Sequence, residues 1–249
     1  LLLPASVSYY VVIVSVAVAV LVGKEAFGGL GCYPFHPTAV GYAVAAVSWP
    51  EQVFSFPQPG TWLPLVDAGS AGLIQSASYT LKNGGTPRID TLNLMLGNYA
   101  GPMGATAVVI LVACALLLAV RRRIQWDAAL PFLAICFAIA WLFPRMGRVG
   151  LALPWVEAQV RLASVGYELC SGTILYTGIF MLSDPVILPR HRAARVAFGL
   201  TLGVASMLYR YYGSYETGVC FAMILVGSFA SGFDRLHLRW LDRKEALNQ

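Results

Sequence analysis

Four stretches of this chain hold residues whose types and spacing could do chemistry. The first is Phe27-Gly28-Gly29-Leu30-Gly31-Cys32-Tyr33-Pro34-Phe35-His36-Pro37. Gly28, Gly29 and Gly31 allow φ > 0 and close backbone approach, while Pro34 and Pro37 stop a helix from running on. Inside a membrane such a break survives only where it is buried in protein or lines a cavity. A plain interhelical elbow would share the same local chemistry. The second is Ser183-Asp184-Pro185, a carboxylate at a helix end just before proline. Glu168, placed deeper in the preceding apolar run near Ser171 and Thr173, is its companion. Acids at such positions mark ion paths or cofactor contacts. The competing reading of Asp184 is a cap on the next turn.

The third stretch runs from Asp67-Ala68-Gly69-Ser70-Ala71-Gly72-Leu73 through Ser76-Ala77-Ser78-Tyr79-Thr80 to Lys82-Asn83-Gly84-Gly85. Small residues and hydroxyls can cradle a phosphate through backbone N–H groups; a flexible polar loop has the same composition. The fourth, Tyr209-Arg210-Tyr211-Tyr212-Gly213-Ser214-Tyr215-Glu216, reads as an interfacial aromatic belt. Cys32, Cys114, Cys136, Cys170 and Cys220 are scattered singly, with no CxxC pair and no iron–sulfur or zinc spacing.

The elements that position these residues follow from composition. The chain is 58% hydrophobic and 12% charged, about half the charge of an average soluble domain. Mean hydropathy is +0.68. Long apolar runs break only at Gly, Pro or basic clusters, the pattern of membrane-spanning helices. The expected fold is an all-α integral membrane protein, a polytopic bundle with broken or short helices, forming one transmembrane domain over 1–249. Spans are predicted over 7–22, 103–120, 127–143, 162–182, 193–211 and 217–233. A short, marginal run covers 38–49.

Residues 50–102 are rich in Pro, Gly, Ser and Thr and far longer than an ordinary connection. They are expected to form a loop that folds on the membrane face and carries chemistry. The net charge of +5 comes from clusters at the ends of apolar runs, so it points to the positive-inside rule and not to nucleic acid. That rule puts Arg121-Arg122-Arg123, Arg190-His191-Arg192 and the basic tail in the cytoplasm, with the 50–102 loop extracytoplasmic. Arg145, Arg148 and Arg161 would then lie at the outer end, answering an acidic group or an anionic ligand. The start at Leu1, within an apolar run, reads as the loss of N-terminal helices.

Taken in order, these features resemble the D-subunit family of the Rnf electron-transport complex, which is similar to the B subunit of the sodium-translocating NADH:quinone reductase. The resemblance covers Phe27-Gly28-Gly29-Leu30-Gly31 with Phe35 and Pro37, Ser48-Trp49-Pro50-Glu51-Gln52, residues 101–106, Phe180-Met181-Leu182-Ser183-Asp184-Pro185 and residues 213–222. It implies a multi-pass protein of the bacterial cytoplasmic (inner) membrane, within a multi-subunit ferredoxin:NAD oxidoreductase. That complex moves electrons through flavin and couples them to Na⁺ or H⁺ transport, and this member of it is not catalytic alone. Its implied partners are other membrane subunits, iron–sulfur and flavin subunits, and the lipid bilayer, with no iron–sulfur cluster on this chain itself.

The family binds FMN through its phosphate to a threonine of a Ser-Gly-Ala-Thr motif, and riboflavin within the helices. This chain departs from that pattern. Aligning Asp67 to Ser70 on the motif puts Leu73, which has no oxygen to esterify, at the acceptor. Shifting the register offers Ser76, Ser78 or Thr80 instead. Gly104-Ala105-Thr106 falls where the family has Gly-Glu-Thr, Tyr33 and His36 stand where it has asparagines, and Glu216-Thr217 replaces Pro-Glu. The reading therefore favours noncovalent riboflavin or FMN near Gly28, Gly29, Gly31 and His36 over covalent FMN. Asp184 and Glu168 are expected on the ion path. The rival readings are a small-solute transporter or channel, and a scaffold subunit that has lost its flavin.

Overall fold

A computed structural model describes residues 1–60, 73–83, 85, 87, 89–145, 158–213 and 217–247. The acceptor-loop residues Asp67 to Gly72, with Gly84, Arg148 and Glu216, lie outside them.

In hydrocarbon, backbone N–H and C=O groups must find partners within the segment, so the apolar runs become helices. α1 (Tyr9–Leu21) continues through a 3-10 turn (Glu25–Phe27). Together they make a 19-residue apolar stretch, Tyr9–Phe27, long enough to cross a membrane. α2 (Pro37–Ser48) opens with proline in its first turn, where the missing N–H costs nothing. Its 12 residues span roughly 18 Å, well short of a hydrocarbon core of about 30 Å. Gly41 lets α2 lie against α1: an added Cβ would stand 2.5 Å from the Ser15 carbonyl oxygen.

The 50–102 region holds more order than its composition suggests. α3 (Pro50–Val53) leads to β1 (Phe56–Pro57), which pairs antiparallel with β2 (Leu73–Ile74) in the register Phe56↔Ile74. α4 (Ala77–Lys82) and α5 (Thr91–Leu96) follow. Each is six residues long, too short for a hydrophobic period to register in sequence. Side-chain caps start them: Ser76 Oγ accepts from the Tyr79 N–H, and Asp90 Oδ1 from the Thr91 N–H.

α6 (Val108–Val120) and α7 (Trp126–Leu142) form where apolar spans were predicted, but with 13 and 17 residues they are shorter apolar helices than a full crossing needs, and α6 begins five residues later than expected. The predicted span over 162–182 is not continuous. It is α8 (Ala158–Cys170), then α9 (Thr173–Ile179) and a 3-10 turn (Met181–Ser183), bent by 62°. The break is Ser171-Gly172, where Gly172 is fully extended. The predicted span over 217–233 likewise divides into α11 (Gly218–Gly227) and α12 (Ala230–Leu247), bent by 49°. Each bent pair has the length and composition of one broken span.

α10 (Arg192–Tyr212) is the central helix, packed on α7, α11 and α12. It buries Phe198, Gly199, Leu202, Gly203, Ser206 and Met207. Gly199 and Gly203 form a small-xxx-small pair that lets α7 approach closely. A Cβ at Gly199 would meet the Ala128 carbonyl oxygen at 2.4 Å, and one at Gly203 would meet Ile135 Cγ2 at 2.0 Å. The outer faces are apolar instead of charged: Ile13 and Val16 on α1, and Ile110, Leu116 and Leu117 on α6, all stand exposed. Such a surface suits lipid or another protein of a membrane complex.

Gly203→Val should overpack the α7–α10 contact and lower stability by about 1–3 kcal/mol. Gly232, with no neighbour within 4 Å of an added Cβ, serves as control. Thermal unfolding in detergent checks this: the Tm should drop for Gly203→Val and hold for Gly232→Ala.

Candidate functional site

Two polar centres sit near opposite ends of α10. The first is built on Glu168, which is fully buried near the end of α8. Arg145, three residues beyond α7, donates from Nε to Glu168 Oε1 at 2.6 Å and from Nη2 to Oε2 at 2.8 Å. Arg210, from the last turn of α10, donates from Nε to Oε2 at 2.5 Å. Arg210 Nη2 reaches Ser78 Oγ at 2.6 Å, and Ser78 in turn donates to the Ser171 carbonyl at 3.2 Å. Arg145 Nη1 donates to the Arg210 carbonyl, and its guanidinium lies 4.6 Å from the centre of the Tyr211 ring. Gly172 makes room: a Cβ there would stand 2.7 Å from Arg210 Nη1. Arg161, also buried, donates to the Trp141 carbonyl at 2.7 Å and so satisfies the open end of α7.

The second centre joins two motifs that are distant in sequence. Tyr33 donates to Asp184 Oδ2 at 2.7 Å, while Asp184 Oδ1 accepts the Val186 N–H at 3.1 Å. The elbow is shaped by Gly28, Gly29 and Gly31, with φ of +103°, +82° and +96°, a conformation that side chains resist. Nothing lies within 4 Å of a Cβ placed on Gly31, so the backbone there is open to approach. His36 precedes α2, and its Nδ1 is buried with no hydrogen-bond partner. Burial pushes the His36 ring below its ordinary value of 6.5, and the Asp184 charge opposes that fall. Burial, then the bond to Asp184, pushes the Tyr33 phenol up to about 12. Gly227, at the end of α11, faces the Pro34 carbonyl and Ile187, so the elbow closes on the α11–α12 bend.

The same end collects the basic segments. Arg195 donates to the Gln125 side chain and pairs loosely with Asp127, joining the α6–α7 turn to α10. Asp234 of α12 accepts the Arg190 and His191 N–H groups. These orphan donors at the start of α10 thereby gain an acid where the helix dipole favours one.

The three candidate ester hydroxyls have different surroundings. Ser76 and Ser78 are buried, the first capping α4 and the second bonded to Arg210 and Ser171. Thr80 donates to the Ser76 carbonyl at 3.3 Å and lines an open cleft of about 490 Å³ with Asn93, Asn98 and Tyr99. Leu73 lies on β2 with its side chain exposed.

A family model described as the NQR2, RnfD, RnfE family matches residues 1–239. The chain belongs to this family. The D subunit of the ion-translocating oxidoreductase complex of Pseudomonas paraeruginosa is 30% identical over 246 residues, covering 93% of this chain and 68% of the relative. The protein of the same name from Alcanivorax borkumensis is 29% identical over 245 residues, covering 94% and 70%. That of Salmonella paratyphi A is 26% identical over 256 residues, covering 90% and 69%. The resemblance carried by the glycine elbow and Ser183-Asp184-Pro185 is thus shown across the chain.

In this NQR2, RnfD, RnfE family member, the sequence offered Glu168, Asp184 and His36 as candidates and noted Tyr33 only as a departure from the family pattern; it did not pair Tyr33 with Asp184. It left Arg145 facing either an acidic group or an anionic ligand, and in the fold Arg145 pairs with Glu168. It missed Arg210, hidden in what read as an aromatic belt. The available signal was charge: an arginine and a glutamate in separate apolar runs each need a buried partner.

Glu168→Ala should leave two buried guanidinium groups uncompensated and cost about 3–5 kcal/mol. Thermal stability of the detergent-solubilised protein should fall accordingly, and an unchanged Tm would show that the clamp is not stabilising.

Proposed function

We propose that this chain is a membrane subunit of an Rnf-type ferredoxin:NAD oxidoreductase complex that passes electrons through flavin while Na⁺ or H⁺ crosses the bacterial inner membrane. The observation that carries this reading is the Tyr33–Asp184 hydrogen bond, 2.7 Å long. It brings the glycine elbow and the Ser183-Asp184-Pro185 turn into one site, in a chain of this family. A half-buried carboxylate in an unwound segment between helices is the usual setting of an ion site.

Asp184 is the acid assigned to the ion path. Glu168 has both oxygens engaged by arginines, and two guanidinium groups on one carboxylate leave an excess positive charge that repels cations. Its role is to hold the helix ends. The chain crosses the membrane several times, with the basic end cytoplasmic and the 50–102 region extracytoplasmic. The clustering of the Gln125, Arg190 and Asp234 contacts at one end supports that orientation. The exposed apolar faces of α1 and α6 meet lipid and the other membrane subunits, while iron–sulfur and flavin subunits dock on the complex.

The residues present fit a noncovalent flavin better than an esterified one. Asn93 and Asn98 offer amides to a phosphate or ribityl chain in the cleft, beside Thr80, whose hydroxyl donates to the Ser76 carbonyl and stays open as an acceptor. The open backbone at Gly31, in the elbow that leads to His36, leaves room for a planar ring. When bound, the flavin supplies the redox chemistry, and these residues bind and orient it.

Two measurements test the reading. Under denaturing electrophoresis the chain should run dark at its unmodified mass, while the native complex releases flavin on unfolding. A fluorescent band with added FMN mass, lost in Thr80→Ala, would reverse the noncovalent assignment. Asp184→Asn should assemble normally yet lower coupled ion transport by about a hundredfold, the lower bound for a positioned acid. Normal transport in that variant would remove Asp184 from the path.

A further inference from the structure

We propose that the small cavity beside Arg210 binds one compact inorganic anion, with the charge and size of chloride, that ties the 50–102 region to α9 and α11. This site is separate from the ion path at Asp184 and from the cleft at Thr80. Ser76 and Ser78 of the 50–102 region, Ser171 and Thr173 at the α8–α9 break, Arg210 of α10 and Thr217 before α11 share its walls. Each is more than nine-tenths buried. The space they leave is about 10 Å³, enough for one water-sized body.

The hydrogen bonds already made in the walls limit what that body can be. Ser76 caps α4. Ser78 gives its proton to the Ser171 carbonyl at 3.2 Å, and Ser171 gives its own to the Tyr167 carbonyl. Arg210 uses Nε on Glu168, and Nη2 on Ser78 and Ser171. Other donors remain. Thr173 Oγ1 is buried with no hydrogen-bond partner, an exception among buried polar groups. Thr217 precedes α11, and its hydroxyl caps none of that helix's N–H groups. Arg210 Nη1 faces the wall at Gly172, where an added Cβ would stand 2.7 Å from it. Both threonine protons can rotate toward the cavity. α11 is 10 residues long, and its N-terminal N–H groups add the positive end of a helix dipole.

Charge separates an anion from a water molecule here. Arg145 and Arg210 share one carboxylate, that of Glu168. Among the described residues this buried cluster therefore carries one positive charge in excess. A buried charge without compensation is costly, and a neutral water does not remove it. Glu168 is not one of the cavity walls, and it takes Arg210 on the Nε side. An occupant at Nη1 thus meets the guanidinium and not the carboxylate. A cation would face that excess charge, and a phosphate or carboxylate group is too large for the space. A single monovalent anion satisfies the donors, the volume and the charge together. Bound there, it bridges Thr173, Thr217 and Arg210 beside the Ser76–Ser78 segment.

The test is thermal unfolding of the protein, purified in detergent with the complex it assembles into. Sodium gluconate is replaced by sodium chloride at constant ionic strength. An anion that binds only the folded form stabilises it by mass action, so Tm should rise by about 2–4 °C and then saturate. Thr173→Val keeps the side chain's shape and removes the donor, so it should abolish the rise, while Thr173→Ser should retain it. Bromide is the second probe: anomalous scattering from crystals in sodium bromide should place a peak between Thr173, Thr217 and Arg210. That peak in the wild type carries the decision on the site if Thr173→Val fails to fold. Equal Tm in the two salts, or a full chloride-dependent rise in Thr173→Val, would overturn the proposal. So would a water in place of bromide at the cavity. A bromide peak without any chloride-dependent rise would mean an adventitious ion only, and would overturn it equally.

Discussion

One buried carboxylate holds together the end of the bundle farther from the glycine elbow. Glu168 collects Arg145 from beyond α7 and Arg210 from the last turn of α10, and Arg210 passes the connection on to Ser78 in the 50–102 region. Four chain segments thereby meet at one point. A buried ion pair need not add net stability over an apolar replacement, but removal of either sign leaves an uncompensated charge. That asymmetry makes the arrangement a device of geometry: α7, α8 and α10 can end in this register because every charge there has a partner. It also explains why α8 turns away from α9. Bending at Ser171-Gly172 brings Glu168 to the arginines and frees the Ser171 carbonyl for Ser78.

Close packing carries that register along the bundle. Gly199 and Gly203 bring α10 against Ala128 and Phe132 of α7, and Cys136 lies 3.9 Å from the Gly203 carbonyl. In hydrocarbon there is little hydrophobic drive between helices, so close van der Waals contact through small residues holds them together. At the far end Asp234 caps α10, fixes the α11–α12 bend and leaves the elbow seated on Gly227. The position of Asp184 is thus a consequence of how α10 is gripped at both ends.

The helices were legible because their apolar runs continue unbroken until glycine, proline or basic residues end them. α1, α7 and α10 come out within two residues of expectation at each end. The bends were not legible, because an extended glycine after Ser171 and the turn at Ser228-Phe229 leave the apolar composition unbroken. The short helices α4 and α5 were missed for the opposite reason: their caps decide them, and caps are local. For the site, individual groups were visible and their pairings were not. Tyr33 and Asp184 are 151 positions apart, and nothing in either motif announces the other. Ser76, Ser78 and Thr80 could not be told apart in sequence, and all three hydroxyls are hydrogen-bonded in the fold; what sets Thr80 apart is its place on the open cleft.

The two centres act on each other through the helix more than through their fields. Arg192 and Arg210 are separated by 18 residues of α10, or roughly 27 Å at 1.5 Å per residue. At that distance one unit of excess charge contributes about 0.6 kcal/mol in a medium of effective dielectric constant near 20, too little to set the state of Asp184. A displacement of α10 is another matter. Its glycines are already at contact distance with α7, and the two residues that lead into it, Arg190 and His191, donate their N–H groups to Asp234. A change in the clamp that moved α10 would have to move the α11–α12 bend, and with it the seat of the elbow. Coupling along this molecule therefore requires a rigid α10, and the Arg–Glu–Arg cluster makes its far end rigid.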